Sequence, residues 1–449
     1  MHKHAIILQV FIKIEQESCK MMGKDIYKRN ISSQIKLEDL LDKQHGLYQM
    51  ANRLNWDYLV EAYGPYYVEN NGRPGIPIRI IVGLHYLKYL EQESDESVVE
   101  KFCENPYWQY FCGLEYFVHT LPCHPTTLVK WRNRVGIDGV EKLLEHVVNT
   151  AKREGFLAEK LLARVNIDTT VQEKNITFPT DAKLYFKSCQ LLVKAAKARN
   201  ISLRQSYVRV SKLALQKSQR YSHARQMKRA KKEIRRLRTY VGRLMREIKR
   251  KALVIDESLA QLLAVVERVY EQKREDSNKI YSLHAPEVEC IVKGKPHKKY
   301  EFGCKVSVAT TANEPWIISI SAEHGNPYDG HTLKNTVSRI EKITGVKPKQ
   351  AFVDRGYKGS ENHPTDVEIF VSGQKKGLTQ GLKKLLKARS AIEPIIGHAK
   401  NDHGLSRNYL LGVVGDKINA VLVGCAFNLR KMMRLIKLDP ATYSVEFAG

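Results

Sequence analysis

Apolar residues along the chain recur first at helical and then at strand spacing, in blocks divided by polar breaks. Residues 1–75 mix short helical patterns with the break YGPYYVENNGRPG, whose Gly, Pro and Asn residues read as a loop, so this region is expected to be an arm and linker. Residues 76–150 are helical in period. In PIRIIVGLHYLKYLEQE, Ile80, Leu84, Tyr86 and Leu87 lie at spacings of three and four. Ser94 opens the next run, SVVEKFCE, and ENPYWQYFCGL supplies an aromatic cluster. HPTTLVKWRNRVG predicts a short helix capped by Thr126 or Thr127, with Lys130, Arg132 and Arg134 on its exposed side.

The period then shifts. RVNIDTT begins as a buried strand, with Val165 and Ile167 alternating with Asn166 and Asp168. In KYEFGCKVSVATTA, Phe302, Cys304, Val306 and Val308 alternate with polar neighbours; PWIISISAEHGN repeats the habit, and ANEP turns the hairpin between them. DGHTLKNTVSRIEKITG predicts a helix starting at Asp329 or Thr332 and ending at Gly345. QAFVDRGY and VEIFVSG are two more short strands, and a helical region runs from about Leu382 almost to the C-terminus. Between the first strand and the others, residues 181–285 read as a long helical insertion. The expected fold is therefore α/β over residues 151–449, interrupted by that insertion and preceded by an all-α segment.

Charge changes the picture. The chain has 449 residues and a formal net charge of +26, from 74 Lys plus Arg against 48 Asp plus Glu. Such an excess predicts a polyanionic partner, most simply nucleic acid, with an anionic membrane surface as the competitor. No run of about 18 apolar residues supports a membrane span, and AIILQVFIKI is too short and interrupted by Lys13 to be a signal peptide. Eight scattered cysteines without a C-x-x-C pair indicate neither a disulfide framework nor a zinc knuckle. Residues 217–251 hold 15 Lys plus Arg against two Glu, while Ile234, Leu237, Val241, Leu244 and Ile248 keep helical spacing. This is an amphipathic helix with a cationic face. Arg235, Arg236 and Arg243 are candidate phosphate contacts on it. The small helices ending in Lys130, Arg132 and Arg134 fit a helix-turn-helix-like DNA reader.

The candidate chemistry lies in acids. Asp168 and Asp354 each follow a short apolar strand, and they meet only if those strands are neighbours. Two close carboxylates repel unless cations sit between them, and hard oxygen ligands suit magnesium. Glu393 in SAIEPIIGHAK offers a third ligand; Pro394 confines it to a helix's first turn. Lys400 is about 20° away around that helix, and Arg389 lies four residues upstream. Each acid also has a plainer reading: turn former for the aspartates, or capping box with Ser390 for Glu393.

The blocks NIDTTVQEKNITFPTDAKL, HAPEVECIVKGKPHKKYEFGCKVSVAT, GNPYDGHTL, FVDRGYKG and RSAIEPIIGHAKNDHGLSRNYLLG resemble the DDE transposases of bacterial insertion sequences, in the insertion-sequence-five branch. The resemblance implies a ribonuclease-H-like mixed sheet with flanking helices, preceded by a helical DNA-binding domain, with Asp168, Asp354 and Glu393 binding metal. It implies two Mg2+ ions, with Mn2+ as a substitute, Asp168 bridging both, and strand cleavage and transfer by phosphoryl transfer. Double-stranded DNA would be the partner, as terminal inverted repeats and as target, for a cytoplasmic, nucleoid-associated homodimer that uses no membrane. Arg389 and Lys400 would hold phosphates. The wider superfamily carries Tyr where this chain has Leu386. A plain nuclease on the same fold, or a catalytically dead repressor derived from a transposase, are the other functions these residues allow.

Overall fold

The computed structural model describes residues 35–68, 75–292, 299–374 and 377–438. AIILQVFIKI lies outside the described residues. The fold is mixed α/β with a helical majority. Short helices Leu37–Leu40, Gly46–Arg53 and Trp56–Tyr63 come first, followed by Ile78–Leu90, Asp95–Phe102 and Pro106–Phe111. Ser94 caps the second of that later trio in a capping box with Ser97. Helix Ile78–Leu90 buries 11 of its 13 residues, so it is a core helix and not an amphipathic surface one.

Helix Thr126–Arg153 extends well beyond the short helix its sequence suggested. It continues across a break at Gly136, whose φ of 62° and ψ of −160° are open to glycine. Neither Thr126 nor Thr127 caps it; the flanking residue is Pro125, and His124 accepts the Thr126 amide instead. Helix Gly412–Leu438 packs along it and against the sheet. Among the described residues, that C-terminal helix is long and apolar enough to cross a bilayer, yet 72% of its apolar window is buried inside the protein. One hydrophobic core runs from Leu37 through these long helices into the sheet.

The strands are β1 Arg164–Lys174, β2 Glu289–Val292, β3 Tyr300–Thr311, β4 Ile317–Glu323, β5 Gln350–Val353, β6 Glu368–Val371 and β7 Arg407–Asn408. Their order is β2-β3-β1-β5-β6, with β4 also on β3 and β7 also on β1. β3 is antiparallel to β1, β2 and β4, whereas β5 and β7 run parallel to β1. Both faces of β4 are buried, with helices Gly412–Leu438 and Asp329–Thr344 packed against it.

β1 stays in the sheet long after its apolar start. Its polar end is satisfied internally: Lys174 Nζ donates to Asp416 Oδ1 at 3.0 Å, and Asn408 donates to the same oxygen at 2.6 Å. Gln172 accepts from Asn419 at 2.8 Å, and Asn419 in turn accepts from Tyr89 at 2.9 Å. Buried polar groups so paired cost little. Cys304, His324 and Asp416 offer ligand atoms within 4.8 Å of one another. The Lys174 ammonium already supplies the cation that Asp416 needs.

Helices Asp181–Ala198, Val208–His223, Met227–Lys251 and Glu257–Glu271 build a second core of their own. Leu237, Val241, Leu244 and Ile248 are each wholly buried there, a contribution of about 1.5–3 kcal/mol per side chain. The cationic residues of the same helix face outward.

Candidate active site

Asp168 and Asp354 are brought level by strand register. β1 pairs parallel with β5, Arg164 opposite Gln350, Val165 opposite Ala351 and Asn166 opposite Phe352. Carried two residues further, that register sets Asp168 beside Asp354. The strands are neighbours, as the two-acid reading requires. One detail differs: Asp168 is in the middle of β1, paired on its other side with Val308 of β3, and does not end the strand. What ends is β5. Asp354 leaves it by capping the turn Arg355–Tyr357, its Oδ1 accepting the Gly356 amide at 2.7 Å. On the same edge β7 meets β1 only at Glu173 and Lys174. Asp168 therefore sits where β1 has lost one neighbour and not yet gained the next.

Arg389 connects the third acid. It lies in a one-turn 3-10 helix, Arg389–Ala391, that leads into helix Ile392–Asp402. Its Nη1 is 3.1 Å from Asp168 Oδ2, and its Nη2 is 3.6 Å from Glu393 Oε1. Glu393 occupies the first turn of the helix, as Pro394 demands, and its side chain is 65% exposed. The capping box with Ser390 does not form; the Ser390 hydroxyl donates to the Lys387 carbonyl instead. Lys400 lies on the same helix. Leu386 packs with Phe352 and Phe370 under helix Gln380–Ala388, filling an apolar gap beside β5 and β6.

The electrostatics follow from this packing. Burial raises the Asp168 carboxyl above its ordinary value, and the Asp354 charge adds to the shift; the Thr169 amide and Arg389 offset only part of it.

A further acid stands beside the two aspartates. Asp329, which the sequence suggested only as a helix start, accepts from the Thr169 hydroxyl at 3.0 Å and from Lys305 Nζ at 2.9 Å, both on Oδ1. Its Oδ2 and Asp354 Oδ1 lie 2.8 and 2.9 Å from the point a Cβ on Gly356 would occupy, so the two carboxylates border one methyl-sized gap. The Tyr357 ring is wholly buried next to them. Burial, then the charges of Asp168, Asp329 and Asp354, push its hydroxyl well above the ordinary phenol value. The signal available in the sequence was the acid in GNPYDGHTL, one of the blocks that carries the resemblance.

The candidate DNA contacts divide. Lys130 is exposed. Arg132 is not: it is 4% exposed, and donates to Asp95 at 2.9 and 2.5 Å. The expectation that it lies on an exposed side is corrected, because a partner 37 residues upstream draws the guanidinium inward. Arg134 is likewise half-buried, 5.1 Å over the Tyr67 ring. On the insertion, Arg235, Arg236 and Arg243 are all exposed. Arg236 pairs with Glu233 at 3.0 Å, and Arg243 approaches the Tyr207 hydroxyl at 3.4 Å.

Comparison with known proteins agrees with this architecture. Residues 35–134 match a family described as Transposase domain (DUF772), and residues 277–429 match one described as Transposase DDE domain. "Uncharacterized protein ORF8 in nfe locus" of Rhizobium meliloti is 46% identical over 191 residues, 42% of this chain and 92% of that protein. No solved structure matches. The chain belongs to the DDE transposase family, whose members are DNA nucleotidyl-transfer enzymes that typically use divalent metal ions. Asp354 and Glu393 fall inside the second matched segment; Asp168 falls between the two.

Proposed function

We propose that this protein is an insertion-sequence transposase that cuts DNA at the ends of its element and joins those ends to target DNA. Asp168, Asp354 and Glu393 are its metal-binding acids. The observation that carries the reading is the β1–β5 register, which sets Asp168 level with Asp354 while Arg389 ties Asp168 to Glu393. In the run β4-β3-β1-β5-β6, β3 alone is reversed, which supports a ribonuclease-H-like sheet. The donor set fits a hard divalent cation: all oxygens, with a raised Asp168 whose charge Arg389 only partly balances. Bound Mg2+, or Mn2+ in its place, would activate an attacking hydroxyl and stabilise the leaving oxygen at a phosphodiester.

The chain's own residues do the rest. Asp168 and Asp354 gather negative charge at one point, and Arg389 balances part of it. Arg389 and Lys400 are the residues that would grip a phosphate beside the acids. The cationic face of helix Met227–Lys251 adds sequence-independent affinity, and Lys130 is the remaining candidate contact on the helical segment 76–150. Joining two ends in concert calls for a homodimer. A plain nuclease or an inactive repressor would share the scaffold, and joined products separate them. The test is DNA carrying the element's ends, in Mg2+, with the wild type and with Asp168→Ala, Asp354→Ala and Glu393→Ala. Joined product from the wild type only supports the reading; cleavage by all three variants removes the site assignment.

A further inference from the structure

We infer that Asp329 is a fourth carboxylate of the metal site, contributing an oxygen to the ion held by Asp354; this rests on the three-acid reading above. Asp329 is the first residue of helix Asp329–Thr344, and its two oxygens are used differently. Oδ1 is fully engaged by Thr169, the residue after Asp168, and by Lys305 on β3. Thr169 thereby links the backbone of one proposed ligand to the carboxylate of another. Oδ2 and Asp354 Oδ1, the latter also accepting the Gly356 amide, both border the space left open by the missing side chain of Gly356. Two carboxylate oxygens bordering one small gap repel, and a cation between them reverses the sign of that contact. Lys305 is bound to the far oxygen and cannot serve there.

An independent observation points to the same gap. The Tyr357 hydroxyl is buried and closes no hydrogen bond among the described residues, with Thr332 near enough to act on it alongside the charges of Asp168, Asp329 and Asp354. An incompletely satisfied buried hydroxyl is unfavourable. An ion carrying ordered water among these acids would supply what the protein does not. The arrangement also explains why position 356 holds glycine at an ordinary backbone angle: any side chain would fill the space between the two acids.

The test is Mn2+ binding to the full-length chain without DNA, followed by titration calorimetry. Asp329→Asn keeps the shape and an oxygen for Thr169 but removes the charge, and should weaken Mn2+ binding tenfold to a hundredfold, with circular dichroism unchanged. Lys305→Gln removes the cation next to Asp329 and leaves every carboxylate in place, and should tighten binding. The second variant covers the case in which the first does not fold. Asp354→Asn is the reference. If it loses affinity while Asp329→Asn binds as the wild type does, the fourth-acid role is overturned and the three-acid site stands. If the wild type and Asp354→Asn take up Mn2+ alike, the three-acid site itself fails and this inference with it.

Discussion

Arg389 and Asp168 are 221 residues apart in the chain, yet their side chains meet at 3.1 Å, both only 12–16% exposed. The guanidinium stands where a positive charge is needed and where the proposed metal would compete with it. Arg389→Ala should therefore destabilise the metal-free protein by about 1.5–3 kcal/mol, the usual worth of a hydrogen bond to a charged group. Millimolar Mn2+ should then raise the melting temperature of the variant more than that of the wild type. An equal rise in both would mean that Arg389 and the ion do not share a place.

Arg132 gives a prediction of the opposite kind. Its buried pair with Asp95, joined by Lys88 at 2.6 Å, holds helix Thr126–Arg153 to the start of helix Asp95–Phe102. Removing one partner of such a pair strands the other, at a cost of about 3–5 kcal/mol. Arg132→Ala is expected to show that loss in denaturant unfolding. Lys130→Ala, two residues away and exposed, should change stability by less than about 0.5 kcal/mol and weaken DNA binding instead. Equal stabilities for the two variants would contradict the assignment.

The same cluster makes the fold acid-sensitive. His85 Nδ1 is 2.7 Å from the Ile81 carbonyl and its Nε2 faces Arg132, so the ring is neutral. Burial, then the Arg132 charge, push its pKa down to about 3. The unfolded chain takes up this proton near pH 6.5. Stability is therefore complete above that pH and falls as the pH drops from about 6.5 toward 3. Asp95 acts in the same direction at lower pH: although burial opposes it, bonds from Arg132 and Lys88 hold its carboxyl below the usual range. Its share is lost only below the unfolded value, near pH 4. Melting temperatures measured from pH 7.5 to 4.5 should decline steadily; a flat profile would exclude a buried neutral His85.

Salt dependence tests the insertion. Lys228, Lys231, Lys232, Arg235, Arg246 and Arg250 are exposed and share one side of helix Met227–Lys251, opposite its buried leucines. They span about 33 Å at 1.5 Å per residue, close to one turn of B-DNA at about 34 Å. Changing all six to Gln should flatten the slope of log affinity against log salt by about 0.9 for each side chain that meets a phosphate. An unchanged slope would assign the charge to something other than DNA.

The sequence carried most of this, unevenly. Strand periods, the helix stop at Gly345 and the leucine spacing of the cationic helix are local signals, and all reappear in the fold. Long-range pairing left no such mark. RVNIDTT reads as a strand that ends at an acid, because Gln172 and Lys174 find side-chain partners far along the chain, on Glu287, Asp416 and Asn419. Arg132 has the spacing of a surface residue and is pulled in by Asp95. Asp329 reads as an ordinary helix start until the packing of β1 and β3 brings Thr169 and Lys305 to it. The aspartate pair was legible as two motifs; their adjacency was a matter of topology.

The central claim is that Asp168, Asp354 and Glu393 hold one metal centre that breaks and joins DNA. Its most direct measurement is strand cleavage and joining in Mg2+ on DNA bearing the element's ends, comparing the wild type with Asp168→Asn at matched DNA occupancy. The account predicts joined product from the wild type and at least a thousandfold loss in the variant, with DNA binding intact, consistent with about 4 kcal/mol or more of lost transition-state stabilisation. Cleavage by Asp168→Asn at the wild-type rate would contradict it.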